Sequence, residues 1–179
     1  LSPEDDLFQT ASSHKLSVLK CGGETRAETV RNGLAALLQQ GLAAPHDNIL
    51  VHDAARCCLP PEALSRLIQE AGGQAEGGIL AVPVADTLKR ADAAQHIGAT
   101  VARAGLWQAQ TPQLFQAALL QRALDVGDLS AITDEASAVE ALGVQPLLVQ
   151  GDSRNLKLTL PQDEYIMRLL LADKSHAPV

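Results

Sequence analysis

Apolar positions along the chain fall into short continuous runs and helical stripes, and their order predicts the fold. Leu16 to Leu19 reads as a short strand, followed by a turn at Gly22-Gly23. From Glu28 to Gln40, Val30, Leu34, Leu37 and Leu38 recur at three- and four-residue spacings, which puts them on one helix face with Gly41 as the stop. Asn48 to His52 is the next strand, and its run Ile49-Leu50-Val51 suits a strand covered on both sides. Pro60-Pro61 opens a second helix through Leu64, Leu67 and Ile68 to Gly72-Gly73. Gly78 to Val84 is a third buried strand. The series β-α-β-α-β with short connections predicts an α/β protein with a mainly parallel sheet.

The middle of the chain breaks this rhythm. Thr87 to Arg90, Ala99 to Arg103 and Leu106 to Gln110 are short extended pieces separated by Gly98 and Gly105, as in a β-arm leaving the sheet. Phe115 to Val126 and Glu135 to Leu142 are helix patterns, with Thr111-Pro112-Gln113 and Thr133-Asp134-Glu135 as their openings. Gln145 to Gln150 and Leu156 to Thr159 read as strands. Pro161 to Ala172 closes the chain as a helix with Pro first and acids in its first turn, ahead of a frayed tail at Ser175 to Val179.

Composition narrows the picture. A chain of 179 residues suits a single domain, and an aromatic content of 2% leaves the core to Leu, Val, Ile and Ala. The formal net charge of −7 argues against a nucleic-acid backbone or an anionic membrane as partner, while leaving room for a small phosphorylated substrate. No apolar run reaches the ~18 residues of a membrane span. The first residues, Leu1-Ser2-Pro3-Glu4-Asp5-Asp6, are polar and acidic, unlike a signal peptide, and lack an initiator Met, so a fragment is expected. Cys21, Cys57 and Cys58 show no metal-ligand spacing and read as free thiols in a cytoplasmic protein.

Candidate chemistry gathers at strand ends, where α/β sheets bind ligands. Asp53 and Arg56 follow the second strand; Asp86, Thr87, Lys89 and Arg90 follow the third; Arg103 lies in the arm. Thr111, Thr133 and Lys157 complete the set. Each has a plainer reading: Asp53 as a turn cap, Arg56 as a surface charge, both threonines as helix caps. Lys157, between Leu156 and Leu158, needs a destination for its charge. Cations, hydroxyls and one strand-end acid, without a Ser-His-Asp order or an activated Cys, fit phosphoryl or nucleotidyl transfer. There the protein mainly positions groups and neutralises charge.

Read together, the blocks Gly22-Gly23-Glu24-Thr25-Arg26-Ala27-Glu28-Thr29-Val30, His52-Asp53-Ala54-Ala55-Arg56, Asp86-Thr87-Leu88-Lys89-Arg90, Trp107 to Gln113, Ile132 to Ser137 and Asn155 to Thr159 closely resemble 2-C-methyl-D-erythritol 4-phosphate cytidylyltransferases. The resemblance spans about Lys20 to Leu171. It implies a Rossmann-like, three-layer, mainly parallel sheet of the nucleotide-diphospho-sugar transferase type with a protruding β-arm. It also implies the reaction of CTP with methylerythritol phosphate in non-mevalonate isoprenoid synthesis, with Mg²⁺. By resemblance Gly23, Glu24 and Thr29 lie near the cytosine, Ala54 contacts the nucleotide, and Asp53 lies at the Mg²⁺ and ribose region. Arg56, Thr87, Arg103, Thr111 and Thr133 match positions around the methylerythritol phosphate, and Lys157 matches a lysine that stabilises charge at the α-phosphate. The family's homodimer, joined by arms corresponding to about residues 87–110, is implied too.

Two departures stand out. Nothing here matches the family's first strand and glycine-rich loop, whose Arg and Lys cradle the triphosphate; without them the residues in hand are expected neither to fold stably nor to catalyse. Cys57 stands where the family often has Pro, which changes turn stiffness more than chemistry. Two other readings share parts of the pattern: a ribitol 5-phosphate cytidylyltransferase, and a non-catalytic nucleotide- or sugar-phosphate-binding domain.

Overall fold

The computed structural model describes residues 1–10 and 15–172; the expected tail at Ser175 to Val179 lies outside them. Eleven elements follow one another: α1 (Arg26–Gln39), β1 (Asn48–Val51), α2 (Pro61–Ala71), β2 (Gly78–Pro83), β3 (Leu88–Ala91), β4 (Ile97–Val101), β5 (Trp107–Gln116), α3 (Ala117–Leu124), α4 (Glu135–Glu140), β6 (Leu147–Gln150) and α5 (Asp163–Ala172). Among the described residues no helix is long and apolar enough to cross a membrane.

The main sheet has the order β1-β5-β2-β6. β5 runs antiparallel to both β1 and β2, and β2 runs parallel to β6. Three of the four strands therefore share one direction, with β5 inserted against them. Side chains alternate across the sheet and split the core in two. Ile79 and Phe115 join α1, α3 and α4 on one face. Leu80, Leu114 and Val149 meet Ala63, Leu67 and Ala71 of α2 on the other. The result is the expected α/β, three-layer arrangement.

Local chemistry explains the helix starts. Thr25 caps α1, its side chain accepting from Glu28 N–H while the Glu28 carboxylate returns to the Thr25 backbone. Pro61 sits at the first position of α2, where its missing N–H is no loss. At the α2–β2 joint a Cβ on Gly78 would stand 2.8 Å from the Ala71 Cβ. Glycine there lets the helix lie directly on the strand.

Several expectations are corrected. β1 is an edge strand of the sheet rather than one covered on both sides, and Leu50 is 38% exposed. Leu16 to Leu19 is not a strand of the sheet; its backbone takes the amino terminus, the Leu1 ammonium donating to Leu19 O at 2.8 Å. Thr111-Pro112-Gln113 does not open a helix but lies inside β5, and Phe115 also belongs to β5, so the helix begins only at Ala117. Pro112 is tolerated because the register against β2 shifts there, Gln113 pairing with Ile79 and Ala109 with Ala81. Leu156 to Thr159 is an extended segment rather than a strand, held by Leu158 N–H donating to Ala55 O at 2.8 Å. Pro161 precedes the last helix instead of opening it: α5 starts at Asp163, whose carboxylate accepts from the Thr159 and Leu160 backbones.

The arm is a two-stranded hairpin, β3 paired antiparallel with β4. Of its third expected piece, Leu106 to Gln110, the residues from Trp107 on are instead the start of β5. The hairpin is largely exposed, with Ile97 68% accessible, and Lys89 donates across it to the Thr100 hydroxyl at 2.8 Å.

Phe115 has no exposed surface and reaches from the sheet into the α1–α3–α4 layer. Phe115→Ala is expected to lower the unfolding free energy by about 3–5 kcal/mol in chemical denaturation. A loss below about 1 kcal/mol would show that this layer does not hold the sheet.

Candidate active site

The site is built on the loop after β1. The Asp53 backbone N–H donates to the Thr111 hydroxyl at 3.0 Å, fixing the loop to β5. That hydroxyl oxygen lies 2.9 Å from His52 Nδ1, and His52 Nε2 lies 3.0 Å from the Arg56 carbonyl. The carbonyl can only accept, so His52 Nε2 donates to it, while Nδ1 and the Thr111 hydroxyl share the other hydrogen bond. Asp53, Thr111, His52 and Arg56 are thereby locked into one geometry.

Three cations converge on the Asp53 carboxylate. Arg26 Nε donates to Oδ1 at 3.1 Å, Lys157 Nζ lies 3.0 Å from Oδ2, and Arg56 Nε stands 3.7 Å from Oδ2. Burial pushes the Asp53 carboxyl up, but hydrogen bonds and charge from Lys157 and Arg26 together outweigh it and hold it below the usual carboxylate range. Arg26 then spends the rest of its fork on Glu135, donating from Nη1 at 2.6 Å and Nη2 at 2.8 Å. Glu135 is 1% exposed, so Arg26 neutralises a buried carboxylate with one end and orients Asp53 with the other. Burial also lowers the Arg56 guanidinium, against the opposing pull of Asp53. Arg56 Nη1 donates to Asn155 O at 2.6 Å, while its buried Nε has no hydrogen-bond partner.

Two clefts meet at this cluster. One, of about 220 Å³, is lined by Arg56, Thr111, Thr133, Gln110, Gln113 and Asp134 together with Arg26, Asp53 and Lys157. The other, of about 340 Å³, is lined by Thr29, Val30, Val51, His52, Ala54 and Ala55 with the same Arg26, Asp53 and Lys157. Those three residues form a shared wall. Lys157 is the most open of the three cations on Asp53, its side chain 43% exposed.

The structure brings Asp53, Arg56, Thr111, Thr133 and Lys157 together, with Thr29 and Ala54 across the wall. Gly23 and Glu24 precede α1 and do not line either cleft; Gly23 N–H donates to the Thr29 hydroxyl at 3.0 Å, and Glu24 N–H to the Glu28 carboxylate at 2.8 Å. Thr87 and Arg103 are exposed on either side of the arm and also line neither cleft. Thr111 and Thr133 are not helix caps: the first lies mid-strand, and Asp134 caps α4 through Ser137 N–H.

Sequence reading missed Arg26, Glu135, Gln113 and Asn155. Arg26 carried a signal, because a cation in a helix's first turn opposes the helix dipole and needs a partner. Gln113 is 1% exposed and joins β5 to α4, donating to Asp134 at 2.9 Å and accepting from Ala136 N–H at 2.8 Å. Asn155 is fully buried and donates to Thr111 O at 2.8 Å.

Among the described residues no three His, Cys, Asp or Glu side chains gather as a metal site. Asp53 is the carboxylate of the shared wall, since Asp134 is committed to Ser137 and Gln113. One carboxylate suits Mg²⁺ that is held chiefly by phosphate oxygens and water; it does not suit a protein-built metal cage.

A family model described as 2-C-methyl-D-erythritol 4-phosphate cytidylyltransferase matches residues 1–173. A protein of that name from Neisseria gonorrhoeae is 72% identical over 174 residues, covering 96% of this chain and 75% of its own. One from Chromobacterium violaceum is 54% identical over 174 residues, covering 96% and 76%. A crystal structure of 4-diphosphocytidyl-2C-methyl-D-erythritol synthase superposes with a TM-score of 0.80 at 76% identity, covering 85% of this chain and 70% of that one. The Francisella tularensis 2-C-methyl-D-erythritol 4-phosphate cytidylyltransferase superposes with a TM-score of 0.75 at 33% identity, covering 83% and 69%.

The depressed Asp53 carboxyl sets a pH dependence of stability. A carboxyl held below its unfolded value, ~3.9, stabilises the fold above that pH and loses this contribution as pH falls through the folded value. Unfolding free energy is therefore expected to fall on acidification below about pH 4, and less steeply in Asp53→Asn. Equal slopes for both proteins in denaturant titrations would remove the ion cluster from the acid response.

Proposed function

Because this chain belongs to the 2-C-methyl-D-erythritol 4-phosphate cytidylyltransferase family, we propose that it transfers a cytidylyl group from CTP to 2-C-methyl-D-erythritol 4-phosphate. The products are 4-diphosphocytidyl-2-C-methyl-D-erythritol and pyrophosphate, on the way to isoprenoids. The observation that carries this reading is the pair of clefts sharing the wall Arg26–Asp53–Lys157. Two substrates placed in them meet at one cluster of cations.

In the reaction a phosphate oxygen of the sugar alcohol attacks the α-phosphorus of CTP. A new P–O bond forms as the bond to the bridging oxygen breaks, and pyrophosphate leaves. The nucleophile is already an anion, so no general base is needed. The protein's task is to hold two like-charged groups in line and to neutralise charge. Arg56 suits the sugar phosphate: its buried Nε lacks a partner, and a phosphate oxygen would satisfy it while the fork gives bidentate contact. Thr111 and Thr133 stand in the same cleft. Lys157, compact and half exposed, turns from Asp53 to the α-phosphate as charge develops there, while Arg26, anchored by Glu135, keeps Asp53 in place. In the other cleft Thr29 and Ala54 face the nucleotide, and Gly23 and Glu24 serve the cytosine from the loop before α1.

Asp53 would hold Mg²⁺, which would supply charge neutralisation for the phosphates. Thr87 and Arg103 serve the methylerythritol phosphate of a partner subunit in a homodimer joined through the arms. Their exposure and their absence from the lining of this chain's clefts support that role. The enzyme acts in the cytoplasm, and its acidic balance fits small substrates rather than nucleic acid or membrane.

The test is pyrophosphate release from CTP and methylerythritol phosphate, by protein that also carries the family's first strand and glycine-rich loop, with light scattering on the same sample. Release is expected to depend on both substrates and to come from a dimer. Lys157→Ala is expected to lower kcat by on the order of 10²-fold with a smaller change in KM. Absence of CTP-dependent release would overturn the activity, an unchanged kcat would remove Lys157 from the mechanism, and an active monomer would remove the arm.

A further inference from the structure

A cluster of sulfur atoms lies beside the Asp53 loop but lines neither cleft. Cys57 and Cys58 form the turn directly after Arg56. Met167 reaches them from α5 and is 3% exposed. The Cys57 thiol lies 3.7 Å from the Met167 Sδ, and the Cys58 thiol 3.9 Å from the Met167 carbonyl oxygen. The two cysteines are consecutive in that turn, and both thiols meet the same residue of α5. We propose that Cys57, Cys58 and Met167 bind a soft monovalent cation, copper(I), as a three-sulfur site.

The donor set selects the ion. Thiolate and thioether sulfur bind soft cations such as copper(I), whereas Mg²⁺ and Ca²⁺ need oxygen. Geometry agrees: two sulfurs each ~2.3 Å from one metal ion stand about 3.8–4 Å apart, close to the spacing already present between Cys57 and Met167. Access agrees as well, because Cys57 is exposed and gives the ion an entry, while the buried thioether closes the far side. Adjacent cysteines rarely bridge each other, so the thiols are not withdrawn as a disulfide.

Binding requires no electron transfer. Each ligating cysteine releases one proton to solvent and forms one metal–sulfur bond, and Met167 contributes a lone pair. The third donor lies 110 residues beyond Cys57, which is why no ligand spacing appears in the sequence. The turn that supplies both thiols continues the segment bearing Asp53 and Arg56, so an ion here would fasten the active-site loop to α5. The proposal stands apart from the catalytic reading and is tested without an activity assay.

Reduced protein titrated anaerobically with copper(I) against a chromophoric copper(I) chelator is expected to retain one equivalent and to gain thermal stability on binding. Cys57→Ser, Cys58→Ser and Met167→Leu are each expected to weaken retention by at least ~10-fold, and Cys21→Ser to leave it unchanged. Met167→Leu keeps the side-chain volume, and circular dichroism verifies that each variant is folded. X-ray absorption at the copper edge of the unaltered protein reads the ligands independently of any variant, with three sulfurs expected. Failure to hold copper(I) against the chelator, undiminished retention in the Cys57→Ser/Cys58→Ser double variant, or a shell of two sulfurs or of nitrogen and oxygen would each overturn the site.

Discussion

Arg26 joins three parts of the molecule that are far apart in sequence. It begins α1, contacts the loop after β1 through Asp53, and closes on Glu135 at the start of α4. Glu135 is almost wholly buried, and a carboxylate there is tolerable only with a bidentate cationic partner. The partner in turn sits at the positive end of a helix, where a cation is unfavourable without acids nearby. Each group makes the other's position acceptable. The pair thus sets where Asp53 stands, and Asp53 sets where the two clefts meet.

The cleft chemistry follows from this. Asp53 collects Arg26, Arg56 and Lys157, but these cations are not equivalent. Arg26 is bound on both sides, Arg56 is held by the Asn155 carbonyl, and Lys157 reaches Asp53 from an extended segment with its side chain half exposed. A phosphate arriving between the clefts therefore finds two fixed forks and one ammonium free to change partner. Such a division suits nucleotidyl transfer, where positioning is permanent but the neutralised charge moves during the step.

The fold was largely legible because its signals are local. The stripe at Val30, Leu34 and Leu38 and the run Ile49 to Val51 need no distant information, and both elements appear where the pattern puts them, although β1 lies at the sheet edge with Leu50 exposed instead of covered on both sides. The failures have physical causes. Thr111-Pro112-Gln113 has the composition of a helix start, yet a register shift against β2 absorbs the proline inside a strand. Lys157 looked like a strand residue because apolar neighbours flank it, but a single backbone bond to Ala55 and the ion pair with Asp53 decide its path. Asp53, Arg56 and Lys157 were visible as strand-end or stranded charges. Arg26 was legible only as a cation lacking a partner, and Glu135, Gln113 and Asn155 were not legible, because their importance lies in pairings across 21 to 109 residues that no spacing rule encodes.

The central claim is that Arg26 and Glu135 act as one unit on which the position of Asp53 depends. A double-mutant cycle in chemical denaturation, using Arg26→Met, Glu135→Gln and the pair, tests it directly. The account predicts a coupling energy on the order of 1–3 kcal/mol, as for side chains sharing one buried ion pair. Additive effects, with a coupling indistinguishable from zero, would contradict it.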